Sequence, residues 1–185
     1  MTLANSISAL RTYLRRFARD RKGVSAVEFA ILLPFMLTLY IGGVELGDGL
    51  ALQFKSTLAA RTVADLASQY VSIDNAAMGA ILGAASTVVS PYSTTGMIVT
   101  VTEVTTNAQG VAKVVWSDST GTAHAVGSTV TLPGGAQAAN TTLIFGEVTY
   151  PYTPTLGYVV TSTINIYESM YFFPRMSSTV TRVNS

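Results

Sequence analysis

The hydropathy pattern divides the chain into an apolar, helix-forming first part and a strand-forming remainder. Phe29 to Val44 reads FAILLPFMLTLYIGGV, sixteen residues without a charge, and no basic residue occurs between Gly23 and Phe54. Sixteen helical residues rise about 24 Å, short of the roughly 30 Å hydrocarbon core of a bilayer. To cross a membrane the segment must recruit Val24–Val27 and Leu46–Leu50, which draws Glu28 into or beside the bilayer. Pro34 removes one backbone bond and favours a kink, and Gly42 and Gly43 soften the run. Helical spacing continues through Leu52, Ala59, Val63, Leu66, Ala67 and Tyr70, with Lys55, Arg61 and Asp65 between them. The pattern predicts one long helix from about Val24 to about Gln69, using one stripe to hold a domain.

Asp74 is placed to cap a second helix that ends before Pro91 and offers Ala77, Ile81, Leu82 and Ala85 to the first. The period then changes. Met97–Thr106 is rich in β-branched residues, Asn107 to Gly110 supplies a turn, and Val111–Trp116 returns, which together predict a hairpin. Ser117 to Asn140 reads as a mobile loop with one short strand at Thr129–Leu132. Thr142–Tyr150 is a further strand, Pro151 and Pro154 mark a turn, and Val159–Tyr167 is the last long strand, with Ile164 and Ile166 on one face. A tail from Phe172 carries Pro174, Arg175 and Arg182. The expected fold class is α+β: a long N-terminal transmembrane and amphipathic helix, a second helix, then a small antiparallel β-sheet domain. The boundaries are a basic segment 1–23, a helical segment 24–71 and an outer α+β domain 72–185.

Composition sharpens this. Charged residues are 11% and hydrophobic residues 49% of the 185, with mean hydropathy +0.41. That excludes intrinsic disorder and does not fit an ordinary cytosolic enzyme. Residues 1–23 hold Arg11, Arg15, Arg16, Arg19, Arg21 and Lys22 against Asp20, a net of +5. The remaining 162 residues hold five bases against nine acids, a net of −4. A basic head places the N-terminus on the cytoplasmic side of a membrane. A mildly acidic body gives no footprint for nucleic acid. There is no cysteine, so any extracytoplasmic domain must be stable without disulfides.

The residues suited to catalysis are few. His124 is the only histidine and lies in GTAHAVGS, where a solvated side chain is expected. Glu103, Asp118, Glu147 and Glu168 fall on strands, where solvated faces are expected, and nothing selects two of them as an acid–base pair. Zinc, EF-hand and P-loop patterns are missing. The expectation is a protein that is not an enzyme, without catalytic residues, metal or cofactor. Tyr150, Tyr152, Tyr158, Tyr167 and Tyr171 suit a core and sheet surface, or an interface.

One segment carries a mechanism: Arg21-Lys22-Gly23-Val24-Ser25-Ala26-Val27-Glu28-Phe29. A carboxylate at the bilayer centre costs about 2.5–3.5 kcal/mol on insertion scales and needs a partner. A cut after Gly23 would leave a free α-amine on Val24, four residues from Glu28 and on the same helical face. Glu28 would then sit near the helix start, where the macrodipole favours it, and in a polymer it could instead neutralise a neighbour's amine. The alternative is a carboxylate that reaches the cytoplasmic interface. A plain signal peptide fits less well, because the charged head is long and the apolar run opens with an acid.

RKG/VSAVE resembles the class III prepilin processing site, with Gly as the last leader residue and Glu at the fifth mature position. VSAVEFAILLPFMLTLYIGGVELG resembles the TadE-like minor pilins, or pseudopilins, of the Tad (tight adherence, Flp) pilus. ADLASQY, SPY before a strand, G-V-A-K-V-V-W-S, GEVTYPYTP and YFFPRMSS also resemble that family, so the likeness covers most of the chain. The resemblance implies a pilin-like fold and removal of residues 1–23 by a prepilin peptidase, between Gly23 and Val24. It implies an assembly role for Glu28, and partners among other minor and major pilins and the inner-membrane pilus assembly machinery. It implies an inner-membrane location with a single span and an extracytoplasmic C-terminal domain that enters a type IVc-like pilus for surface adherence. The alternative reading is an adhesin or binding module on the membrane or at a pilus tip. TadE-like and TadF-like members fit equally.

Overall fold

The computed structural model describes residues 13, 15, 22–132, 138–154 and 162–183. Helix α1 runs Lys22–Ser68, within two residues of the predicted ends. The chain divides into two compact units, Met1–Val44 and Glu45–Ser185, so the boundary falls inside α1.

In the first unit the described residues from Gly23 onward are helical, and the apolar side chains of the uncharged run are exposed apart from the half-buried Ile41. Pro34 lies within the helix. Thr38 donates its hydroxyl to the Pro34 carbonyl at 2.8 Å, a local bond available to Thr within helices.

Among the described residues the second unit contains the end of α1, helix α2 (Asn75–Val89) and seven strands: β1 (Ser72–Ile73), β2 (Ile98–Thr106), β3 (Ala112–Ser119), β4 (Thr129–Val130), β5 (Thr142–Tyr152), β6 (Ile164–Phe172) and β7 (Thr181–Arg182). Five form an antiparallel sheet in the order β4-β3-β2-β5-β6, and β1 and β7 form a short parallel pair. The architecture is α+β, as the sequence predicts.

Period-3.6 positions on α1 and period-2 positions on the sheet meet in one core. Leu52, Ala59, Ala60, Val63, Ala64 and Ala67 pack with Val99, Val101, Ile144 and Val148, and with Met78, Ile81, Ala85 and Val89 of α2. The alanines let helix and sheet approach closely. At Gly146 the approach is closest: an added Cβ would lie 2.6 Å from the Ala60 carbonyl oxygen and 2.9 Å from the Ala64 Cβ. A second apolar cluster covers the other sheet face, from Val104, Ala112, Val114, Leu132, Leu143 and Phe145. A register shift at Glu103/Val104 turns β3 there, so Trp116 faces the helices while Val114 faces away.

Asp74 caps α2 by accepting from the Ala77 N–H at 2.7 Å. The other end of α2 is tied to α1: Lys55 Nζ donates to the carbonyls of Val88 (3.1 Å) and Ser90 (2.6 Å). A cation at a helix C-terminus satisfies free carbonyls and the macrodipole together.

Four expectations need correction. The last long strand is Ile164–Phe172, not Val159–Tyr167; residues 159–161 lie outside the described residues. Its alternation sends Ile166, Met170 and Phe172 to the helix side and Tyr171 to the opposite face, so Phe172 is strand rather than tail. Pro151 is within β5, not in a turn. Pairing of β5 with β2 stops at Thr149, so Pro151 has a neighbour on one side only, where a missing N–H is tolerated. The segment after β3 is not a free loop over its described part. Thr120 N–H donates to Val99 O, Gly127 N–H to Val114 O, and Leu132 is buried; residues 133–137 lie outside the described residues. Tyr70 follows the end of α1 and is 38% exposed rather than part of its buried stripe.

Candidate functional site

The segment singled out by sequence is helical and open. Gly23, Val24 and Glu28 all lie on α1 and are exposed. Nothing among the described residues lies within 4 Å of a Cβ added at Gly23, and its φ is not in the left-handed region. Neither packing nor backbone conformation therefore requires glycine there, although glycine costs a helix about 1 kcal/mol relative to alanine. Glu28 makes no hydrogen bond or ion pair with the described residues. It opens an apolar run whose 18-residue window of highest hydropathy has no buried residue. Val24 and Glu28 are spaced four apart, so they share one helical face. The basic residues Arg11, Arg16, Arg19 and Arg21 lie outside the described residues.

Other polar groups form buried or half-buried centres in the second unit, and the sequence expectation of solvated carboxylates fails there. Glu103 is fully buried. Its Oε2 accepts from Trp116 Nε1–H at 2.5 Å, and its Oε1 accepts from the Val180 N–H at 3.1 Å. Trp116 Nε1–H also reaches the Val180 carbonyl at 2.7 Å. Burial pushes the Glu103 carboxyl above its ordinary range, against the opposing effect of these two donors. The centre fastens the C-terminal segment to the sheet. Arg182 adds to it by donating from Nε and Nη2 to the two Asp118 oxygens at 2.9 and 3.1 Å, and to Asn75 Oδ1 at 2.7 Å. Arg175 pairs with Asp65 near the end of α1 and lies over the Phe172 ring.

His124 is not simply solvated. Its Nε2 lies 2.6 Å from Glu147 Oε2, and Glu147 Oε1 accepts from the Tyr167 hydroxyl at 2.6 Å. Burial, then the bond to Glu147, pushes the Tyr167 hydroxyl up to about 12. His124, on the segment after β3, is thus joined to β5 and β6. Glu168 accepts from Gln53 at 3.2 Å. The four strand carboxylates are each engaged by a different partner set, and no two of them face one another in these bonds. The one sequence signal for this was the placement of Trp116 and Glu103 on facing strands of a hairpin; the pairing with Val180, 77 residues from Glu103, left no local mark. No group of three or more His, Asp or Glu side chains that could hold a metal occurs among the described residues.

α1 is long and apolar enough to cross a membrane. With Gly23 and Glu28 at its head, it is the feature to compare with known proteins. Residues 23–65 match the TadE-like protein family. The match begins at Gly23, takes in Glu28 and the whole uncharged run, and ends three residues before α1 does. It thus covers most of α1 and none of the sheet. No curated protein and no solved structure matches the chain.

Proposed function

We propose that this protein is a minor pilin of a Tad-type pilus, cut after Gly23 by a prepilin peptidase and assembled through α1. The observation that carries the reading is Glu28: an exposed carboxylate, without a partner among the described residues, at the head of an exposed apolar helix and inside the stretch that matches the TadE-like family. A carboxylate so placed has a cost in the bilayer that a partner amine removes. The α-amine of Val24 on a neighbouring subunit is such a partner. Gly23 supports the cut, because a glycine that the fold does not require weakens the helix where a peptidase must unwind it. The +5 head favours a cytoplasmic leader and an extracytoplasmic outer unit. The partners on this reading are the peptidase, other minor and major pilins, and the inner-membrane assembly machinery. A structural rather than catalytic role is supported by Glu103, Asp118, Glu147 and Glu168, each held in a contact that ties elements of the fold together.

Glu28→Ala tests it. The variant is expected to reach the membrane in normal amounts, since removing a charge from an apolar span eases insertion. Incorporation into pili, read by immunoblot of sheared fibres, is expected to fall at least about tenfold, the effect of losing roughly 1.4 kcal/mol per subunit contact. Normal incorporation would remove the role given to Glu28.

A further inference from the structure

We propose that α1 is matched to a bilayer thinner than an ordinary one, so that the lipid surface it fits has a hydrocarbon core of about 24 Å. The inference rests on the membrane-anchored reading above and extends it to the kind of lipid the helix selects.

The uncharged run Phe29–Val44 is bounded by two carboxylates, Glu28 and Glu45. The outer limit is fixed by the fold. Glu45 is 5% exposed, its backbone carbonyl accepts from the Tyr152 hydroxyl at 2.8 Å, and Gly49 one turn on lies against the Tyr152 ring. Drawing residues beyond Val44 into lipid would pull this packing apart. The inner limit is set by Glu28, which has no partner among the described residues and whose side chain is too short to reach far toward the interface as Lys and Arg do. Tyr40 is exposed near the outer end of the run, at the depth where tyrosine favours the headgroup level. In a core of roughly 30 Å the shortfall is about 6 Å, or four residues, and it submerges Glu28. In a core of about 24 Å, Glu28 reaches the interface. Tilt, or a bend at Pro34, shortens the span further and does not relieve the mismatch. Bilayer thickness therefore sets how strongly Glu28 needs a neutralising partner.

The test reconstitutes the full chain into phosphatidylcholine vesicles whose monounsaturated chains run from about 14 to about 22 carbons. The readout is the fraction that floats with the vesicles after carbonate washing. Wild type is expected to incorporate best in the thinnest vesicles and to fall severalfold in the thickest. Glu28→Leu joins Val24–Val27 to the run, giving an uncharged span of about 31 Å, and its optimum is expected to move to about 18 carbons. Glu28→Gln, of wild-type size, is expected to fall between them. Because Glu28 is exposed and makes no hydrogen bond or ion pair among the described residues, both variants should keep the wild-type circular dichroism. Equal optima for all three, or a wild-type optimum at about 18 carbons or longer, would overturn the thickness match alone. Failure of every variant to enter any vesicle would overturn the membrane-anchored reading and this inference with it.

Discussion

Gly146→Ala is expected to lower the stability of the second unit by about 3 kcal/mol, at the upper end for overpacking. The new methyl group would stand 2.6 Å from the Ala60 carbonyl oxygen, 2.9 Å from the Ala64 Cβ and 3.1 Å from Val63 Cγ2. The first contact is with backbone, so no side-chain rotation relieves it. Either α1 moves off β5 or β5 bends away from β2, and both loosen the alanine-rich seam around which the core is built. For a unit of this size the change corresponds to a fall of about 10 °C in Tm. Trp116 is the only tryptophan and is buried, so its fluorescence during thermal unfolding of the full chain in detergent reads this core directly. An unchanged midpoint would mean that helix and sheet are not in contact at Gly146.

Glu103→Ala is expected to cost about 2–4 kcal/mol. It leaves a cavity in the core and strands the Val180 N–H, whose acceptor is Glu103 Oε1; Trp116 Nε1–H keeps the Val180 carbonyl. The cost depends on pH in a defined direction. Burial raises the folded-state carboxyl above its ordinary value. The stability it contributes is therefore fully present below the unfolded value and declines as pH rises through the folded one. The gap between wild type and Glu103→Ala should be widest in acid and narrow toward neutrality. Urea unfolding of the full chain at acid and neutral pH, followed by Trp116 emission, measures both gaps. A gap that widens toward neutrality would contradict the assignment of burial as the dominant effect.

What the sequence made legible follows from how local each signal was. The ends of α1, the Asp74 cap and the β2–β3 hairpin rest on periodicity, one capping residue and one turn, all readable within a few positions. β6 was misplaced because Val159 and Ile164 both begin β-branched alternations, and only pairing with β5, from Ile144↔Phe172 to Tyr152↔Ile164, selects the second. The β1–β7 pair joins segments more than a hundred residues apart through two residues each, too short to leave a pattern. Residue type alone favours solvated side chains at Glu103 and His124. The burial of Glu103 is decided by Val180, and the half-burial of His124 by Glu147 with Tyr167, which fold onto them from a distance. Gly23 and Glu28 were legible for the opposite reason: each departs from what its surroundings favour, a glycine in a helix and an acid at the edge of an apolar run. Among the described residues neither has a packing or hydrogen-bonding task, which supports the proposed role in processing and assembly.

On the proposed function, the Gly23–Val24 bond is cut to release a pilin whose fifth residue is Glu28. Intact mass of the protein, purified from cells with and without their prepilin peptidase, tests it most directly. The expected chain begins at Val24 when the peptidase is present and retains residues 1–23 when it is absent. A chain that keeps its basic head in both cells, or one that begins beyond the apolar run, would contradict it.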